Sequence, residues 1–232
     1  MIVNAILLAA GVGLRLKSKL SKPLIRIAGK EMILYSLLVL EKHHQISGIT
    51  VVVNPANRQA ILRLIKRYRL KKVEQVVLGG ARRQDSVRNG LAKLKQCQGL
   101  VLIHDSGRPF INEKLLSALI NKAAKSKAAV LAVPLKATIK AATKNLEVRQ
   151  TLKRDLLWEI QTPQVFDYSL IKRAFRAFGK FSVTDDSSLV EKTGAKVYLV
   201  KGSYANIKVT TAEDILIAES LAKKGKRLWN IK

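Results

Sequence analysis

Leu7-Leu8-Ala9-Ala10-Gly11-Val12-Gly13-Leu14-Arg15, with Lys22 one short loop beyond, is the stretch on which the fold turns. It closes an apolar run, residues 2–8, that reads as a buried strand. Gly11 and Gly13 permit a tight bend and let backbone N–H groups come close to a ligand. Ala9 and Ala10 keep that approach clear of bulky side chains, and Arg15 and Lys22 add two fixed cations. A strand that ends in such a bend can cradle a polyphosphate. The dinucleotide fingerprint G-x-G-x-x-G is excluded, because Leu16 stands where the third glycine belongs, and no G-x-x-x-x-G-K-[ST] loop is present. An ordinary glycine turn without a ligand is the competing reading of the glycine pair alone.

Outward from this bend the chain alternates apolar strand, loop and amphipathic helix. Strands are expected at 49–53, 73–78, 100–104, 128–133 and 196–201, with helices at 32–42, 57–68, 113–125, 168–178, 187–192 and 211–223. A further helix runs to about residue 94, and either Asp85 or Ser86 can cap its start. This rhythm predicts an α/β fold: one domain over 1–232 built on a mostly parallel, twisted sheet flanked by helices. Ligands of such sheets bind beyond the carboxyl ends of the strands, where the loops after strands one, three and four carry unusual residues. Between about 135 and 157 the rhythm breaks into short β-like pieces around a polar turn. That stretch reads as a projecting β-arm for dimerisation, with a simple surface hairpin as the plainer alternative.

The 232 residues suffice for a full core, and the 48% apolar content is that of a globular protein. One cysteine, Cys97, excludes an internal disulfide and a cysteine-based zinc site. No apolar run approaches the roughly 20 residues of a membrane helix, and the N-terminus lacks a basic leader region, so a cytoplasmic protein is expected. The formal net charge of +27 allows a nucleic-acid-binding reading. Aromatics are only 5% and are not interleaved with the basic clusters as stacking platforms would be, so a lysine-rich surface and an anionic small substrate are favoured over nucleic acid.

Six strings occur in order along the chain: Ala9-Ala10-Gly11-x-Gly13-x-Arg15; Gly79-Gly80-x-x-Arg83-x-Asp85-Ser86-Val87; His104-Asp105-x-x-Arg108-Pro109; Arg154-x-x-x-Trp158-x-x-Gln161-Thr162-Pro163-Gln164; Thr184-Asp185-Asp186; and Asn206-Ile207-Lys208-Val209-Thr210. Together they resemble the 2-C-methyl-D-erythritol 4-phosphate cytidylyltransferase family over nearly the whole chain. Ribitol 5-phosphate cytidylyltransferases share much of the pattern and are the close competitor. The resemblance implies a Rossmann-like nucleotidyltransferase fold and a reaction that joins a sugar-alcohol phosphate to CTP with release of pyrophosphate. Such chemistry needs positioning and cationic stabilisation, without a covalent nucleophile.

By the same resemblance Arg15 and Lys22 hold the triphosphate and are the catalytic pair. Ala9, Ala10, Gly11, Gly13, Gly80, Arg83, Ser86, Asp105 and Ser106 bind the nucleotide. Thr138, Arg154, Thr162, Thr184 and Lys208 bind the sugar-alcohol phosphate. Mg²⁺ is the implied cofactor, held mostly by phosphate oxygens, with Asp105 the nearest carboxylate. The arm carrying Thr138 and Arg154 is implied to cross to a second subunit, which makes a homodimer with a composite site. Read from the residues alone, Ser86 is equally a helix cap, Arg83 a surface arginine, His104 a strand-end residue and Asp185 a loop brace. The sequence departs from the family pattern at Ala81, Ser106-Gly107, Ala137 and Ser21-Lys22-Pro23. Only Ala137, next to Thr138, bears on which sugar alcohol is accepted.

Overall fold

The computed structural model describes residues 1–11, 21–95 and 97–225. In chain order it runs β1 (Val3–Ala9), a 3-10 turn at Lys22–Leu24, β2 (Arg26–Ile27), β3 (Lys30–Glu31), α1 (Met32–Lys42), β4 (Gly48–Val53), α2 (Pro55–Arg67) and β5 (Val73–Leu78). It continues through α3 (Arg83–Ala92), β6 (Leu100–Asp105), α4 (Glu113–Ser126), β7 (Ala128–Pro134), β8 (Lys140–Ala142) and β9 (Val148–Thr151). It ends with β10 (Trp158–Asp167), α5 (Tyr168–Phe178), α6 (Ser187–Glu191), β11 (Tyr198–Lys201) and α7 (Ala212–Gly225).

Seven strands form one sheet in the order β11-β7-β10-β6-β1-β4-β5. β1 lies parallel between β4 and β6, β5 is parallel to β4, and β11 is parallel to β7. Only β10 is reversed, pairing antiparallel with both β6 and β7. β1 is buried at every position because both faces of the sheet are covered. Its side chains alternate between two cores. Val3, Ala5, Leu7 and Ala9 pack with Leu34 and Leu37 of α1, Ile61 of α2 and Leu116 of α4. Ile6 and Leu8 pack with Val87 of α3, Ile171 and Phe175 of α5, and Leu189 of α6. A third, smaller cluster seats α7 through Ala218 and Ala222 against Ile27, Tyr35 and Phe110. Among the described residues no helix is long and apolar enough to cross a membrane.

The mostly parallel sheet and the helices on both faces agree with the sequence reading. Three points differ. β10 is not among the expected strands, because Gln161, Thr162, Pro163 and Gln164 interrupt its apolar residues. The strand tolerates them because its register against β7 shifts between Ile160 and Gln164, which leaves Pro163 out of the pairing. The start of α3 is also corrected: neither Asp85 nor Ser86 is its cap. The helix begins at Arg83 behind Arg82, and Asp85, in the first turn, reaches back to accept the Arg82 N–H at 3.2 Å. α2 starts two residues earlier than expected, with Pro55 in its first turn and Asn54 and Asn57 closing a reciprocal cap.

α3 lies unusually close to the sheet. A Cβ at Gly90 would stand 2.8 Å from Ile6 Cγ2 and 3.2 Å from Val52 Cγ2. Gly90→Ala is therefore expected to destabilise the fold by about 1–2 kcal/mol, overpacking outweighing the gain in helix propensity. Urea denaturation should give a lower midpoint at an unchanged m-value.

Candidate active site

The bends after β1, β5 and β6 meet at the carboxyl end of the sheet, where β6 lies beside β1 and β4 stands between β1 and β5. Each is held from behind. Asn57 Nδ2 donates to Ala9 O at 2.8 Å and Asn54 Nδ2 to Ala10 O at 3.0 Å, so the cap of α2 fixes the bend after β1. Gly79 follows β5, where a Cβ would strike Ala10 Cβ and Ser86 Oγ, both at 2.6 Å. Only glycine lets the two bends approach this closely. The Gly80 N–H donates to Ser86 Oγ at 3.1 Å, and that hydroxyl donates to Arg82 O at 3.3 Å. After β6 the chain turns at once: Ser106 N–H donates to Leu8 O at 3.0 Å and Arg108 N–H to Asp105 O at 2.9 Å.

Between these bends is a cavity of about 460 Å³ that includes Ala10, Gly11, Lys22, Gly80, Ser86 and Ser106 in its lining. The Lys22 ammonium leans over Gly107, 3.0 Å from where a Cβ would stand. A second cavity, about 410 Å³, lies alongside and includes Thr184, Gln161, Thr162 and Arg108. Arg83, Asp105 and Lys208 line both.

The shared wall is a chain of alternating charges. Asp105 Oδ1 accepts from Arg83 Nε at 2.9 Å and its Oδ2 from Lys208 Nζ at 2.8 Å, while Arg83 Nη2 lies 2.9 Å from Asp186 Oδ2. Burial alone would raise the Asp105 carboxyl, but Arg83 and Lys208 outweigh it and hold the group far below the usual carboxylate range. Arg83 is cationic for the complementary reason: burial disfavours its charge, and Asp186 and Asp105 restore it.

Beneath the wall, His104 is fully buried. Its Nδ1 lies 3.0 Å from Thr162 Oγ1, and its Nε2 lies 3.1 Å from Arg108 O and 3.2 Å from Ser36 Oγ. Arg108 O can only accept, so the imidazole carries its proton on Nε2 and its Nδ1 accepts from the Thr162 hydroxyl, whose oxygen accepts the Asp105 N–H at 3.1 Å. Burial pushes the imidazole down to about 4, below its ordinary value. His104 thus stays neutral at working pH, and kcat is expected to show no imidazole limb between about pH 5 and 8. The unfolded chain binds a proton near pH 6.5 that the folded chain refuses until about 4, so this residue's contribution to stability declines as pH falls across that window. Thermal melts at stepped pH measure it.

The profile of the IspD family, 2-C-methyl-D-erythritol 4-phosphate cytidylyltransferase, matches residues 3–224. The chain belongs to that family. It is 44% identical over 222 residues to the 2-C-methyl-D-erythritol 4-phosphate cytidylyltransferase of Shouchella clausii, covering 95% of this chain and 96% of that one. It is 40% identical over 227 residues to the enzyme of that name from Alkaliphilus metalliredigens, with 97% and 94% covered. Among solved structures, the 4-diphosphocytidyl-2C-methyl-D-erythritol synthase of Anaerococcus prevotii superposes with a TM-score of 0.85 at 34% identity, over 96% of each chain.

Of the residues that the IspD resemblance singles out, Ala10, Gly11, Lys22, Gly80, Arg83, Ser86, Asp105, Ser106 and Lys208 line the larger cavity. Ala9 sits behind it, buried. Gly13 and Arg15 lie outside the described residues. Thr184, Thr162 and Lys208 line the smaller cavity, although the Thr162 hydroxyl is also engaged with Asp105 and His104. Thr138 and Arg154 are exposed on the arm and line neither cavity of their own chain; Arg154 Nη1 donates to Lys136 O at 3.0 Å. Asp185 is a brace: it accepts from Gln164 Nε2 at 2.8 Å, Ser187 Oγ at 2.6 Å and the Ser188 N–H at 3.2 Å. Asp186, Arg108 and Asn206 fall within the IspD-like strings, and the resemblance implies no role for them. Arg108 donates to Asn206 O and Ile160 O, tying the turn after β6 to β10 and to the Lys208 loop. Asn54, Asn57 and Ser36 carried no local signal.

Among the described residues no group of three or more His, Cys, Asp or Glu could hold a metal ion. Asp105 has a cation on each oxygen. This donor set fits an ion held by phosphate oxygens and water, not one caged by protein.

Proposed function

We propose that the chain transfers CMP from CTP to 2-C-methyl-D-erythritol 4-phosphate, giving 4-diphosphocytidyl-2-C-methyl-D-erythritol and pyrophosphate in non-mevalonate isoprenoid biosynthesis. The observation that supports this best is the pair of cavities joined at Arg83, Asp105 and Lys208. One lies among glycine bends suited to a nucleotide, and the other is polar and sized for a small phosphorylated polyol. A phosphate oxygen of the second substrate attacks the α-phosphorus of CTP in line, and the bond to the pyrophosphate oxygen breaks. Arg15 and Lys22 hold the triphosphate and balance the charge that gathers on it. Gly80 and Ser86 face the cytosine edge. Lys208 and Thr184 orient the attacking phosphate, while Asp105, clamped by Arg83, keeps Lys208 in place. Bound Mg²⁺ would neutralise phosphate charge, with Asp105 the nearest protein carboxylate.

The enzyme is read as a cytoplasmic homodimer whose arm, 135–157, brings Thr138 and Arg154 to the polyol cavity of the other subunit. Both residues being exposed and lining neither cavity of their own chain supports this. A pyrophosphate-release assay with Mg²⁺, each of the four NTPs and either methylerythritol phosphate or ribitol phosphate tests the reaction. CTP with methylerythritol phosphate should stand alone, and turnover confined to ribitol phosphate would reassign the substrate. Inactive Lys22→Ala protein mixed with inactive Arg154→Ala protein is expected to regain about a quarter of wild-type activity, since one site in a random mixed dimer is intact. No regain would remove the shared site.

A further inference from the structure

We propose that a cavity between α3 and α5 is a second ligand site, for a small molecule carrying a phosphate head and a hydrocarbon tail. The cavity measures about 480 Å³ and shares no lining residue with the two cavities of the active site. Its size is that of an ordinary small-molecule pocket. Leu91, Tyr168 and Phe175, each less than a tenth exposed, supply its apolar floor. Four cations stand around it: Arg88, Lys172, Arg176 and Lys180, all on exposed positions. No carboxylate lines it.

Among the described residues three of the four cations, Lys172, Arg176 and Lys180, have no carboxylate partner. Arg88 has one acid, Asp85 at 3.3 Å, and donates to Gly179 O at 2.6 Å. Lys172 lies over the Tyr168 ring, 5.3 Å from its centroid. Arg176 and Lys180 make no ion pair among the described residues. A free inorganic anion would leave the apolar floor wet, and a neutral hydrocarbon would leave the cations without a counter-charge. A molecule with both parts satisfies both. Arg88 and Gln84 both donate to Gly179 O, and Arg88 also pairs with Asp85 of the first turn of α3. The cavity is thereby built onto the same helix whose start carries Ser86.

The chain's single cysteine, Cys97, is exposed at the rim and gives a direct readout. Decyl phosphate, below its micelle concentration, is titrated into the full-length protein by calorimetry, and Cys97 alkylation by N-ethylmaleimide is timed in parallel. Saturable binding of one molecule per chain is expected, with alkylation slowed about tenfold, decanol and inorganic phosphate each binding at least about tenfold more weakly, and saturating CTP leaving the affinity unchanged. Ala92→Trp, which fills the mouth, and the surface double variant Arg176→Ala/Lys180→Ala should each weaken decyl phosphate by about tenfold. The charge variant decides if the tryptophan variant melts early. Decanol binding as tightly as decyl phosphate, displacement by CTP, unprotected Cys97, or affinity indifferent to the charge variant would each overturn the proposal.

Discussion

Replacing Lys22 by alanine is expected to slow CMP transfer by about 10²- to 10³-fold while the protein stays folded. Lys22 opens the 3-10 turn whose Pro23 is buried, and its carbonyl accepts the Ile25 N–H at 3.2 Å. Alanine keeps both features. What it removes is a fixed positive charge in the larger cavity, where, in the proposed reaction, the leaving pyrophosphate gathers negative charge in the transition state. The loss should therefore fall mainly on kcat; a rise in KM alone would place Lys22 in ground-state binding. Lys22→Arg is not a conservative control. A longer, planar guanidinium replaces a compact ammonium and puts its charge elsewhere, and only partial activity is expected. Single-turnover measurement with unchanged melting temperature separates these outcomes from a folding defect.

Asp105→Asn is expected to have the largest combined effect on stability and turnover. Asp105 is buried and serves two cations at once. Breaking a buried pair by removing one partner costs about 3–5 kcal/mol. Here the lower end applies, because Lys208 is 42% exposed and can turn to water, while Arg83 keeps Asp186. About 3 kcal/mol in a chain of this length corresponds to a fall in Tm of roughly 6–12 °C. The pH dependence identifies the cause. A carboxyl held below its ordinary value stabilises the fold fully above that value and ceases to do so as pH falls beneath it. His104 acts in a different window, between about 6.5 and 4. Asp105→Asn should remove the carboxylate's own share of the decline below about pH 4, and with its charge gone the His104 window extends further down.

The parallel core of the fold was legible because buried parallel strands are written as continuous apolar runs. β1, β4 and β6 are such runs, and the helices between them show their buried faces at helical spacing. β10 was not legible. It is the reversed strand and the one that must present polar groups to the cavities, so Gln161, Thr162 and Gln164 replace the expected apolar residues. The glycine bends were legible because close approach admits no substitute, as the 2.6 Å contacts at Gly79 illustrate. The wiring behind them was not. Nothing adjacent in sequence links Thr162 to Asp105, 57 residues away, or Asn57 to Ala9, 48 away, since such bonds arise only once strands are side by side. Asp186 shows the same limit: it was visible beside Asp185, yet its pairing with Arg83 depends on α6 and α3 meeting across the sheet face.

β10 also does something that no loop could. It leaves the root of the arm, where Trp158 pairs with Pro134, and continues through its register shift past the hydroxyl that accepts the Asp105 N–H. It therefore ties the arm to the charged wall through a single strand, with Thr162 as the point of attachment. Slackening that grip should blunt catalysis with every group around Lys22 still in position.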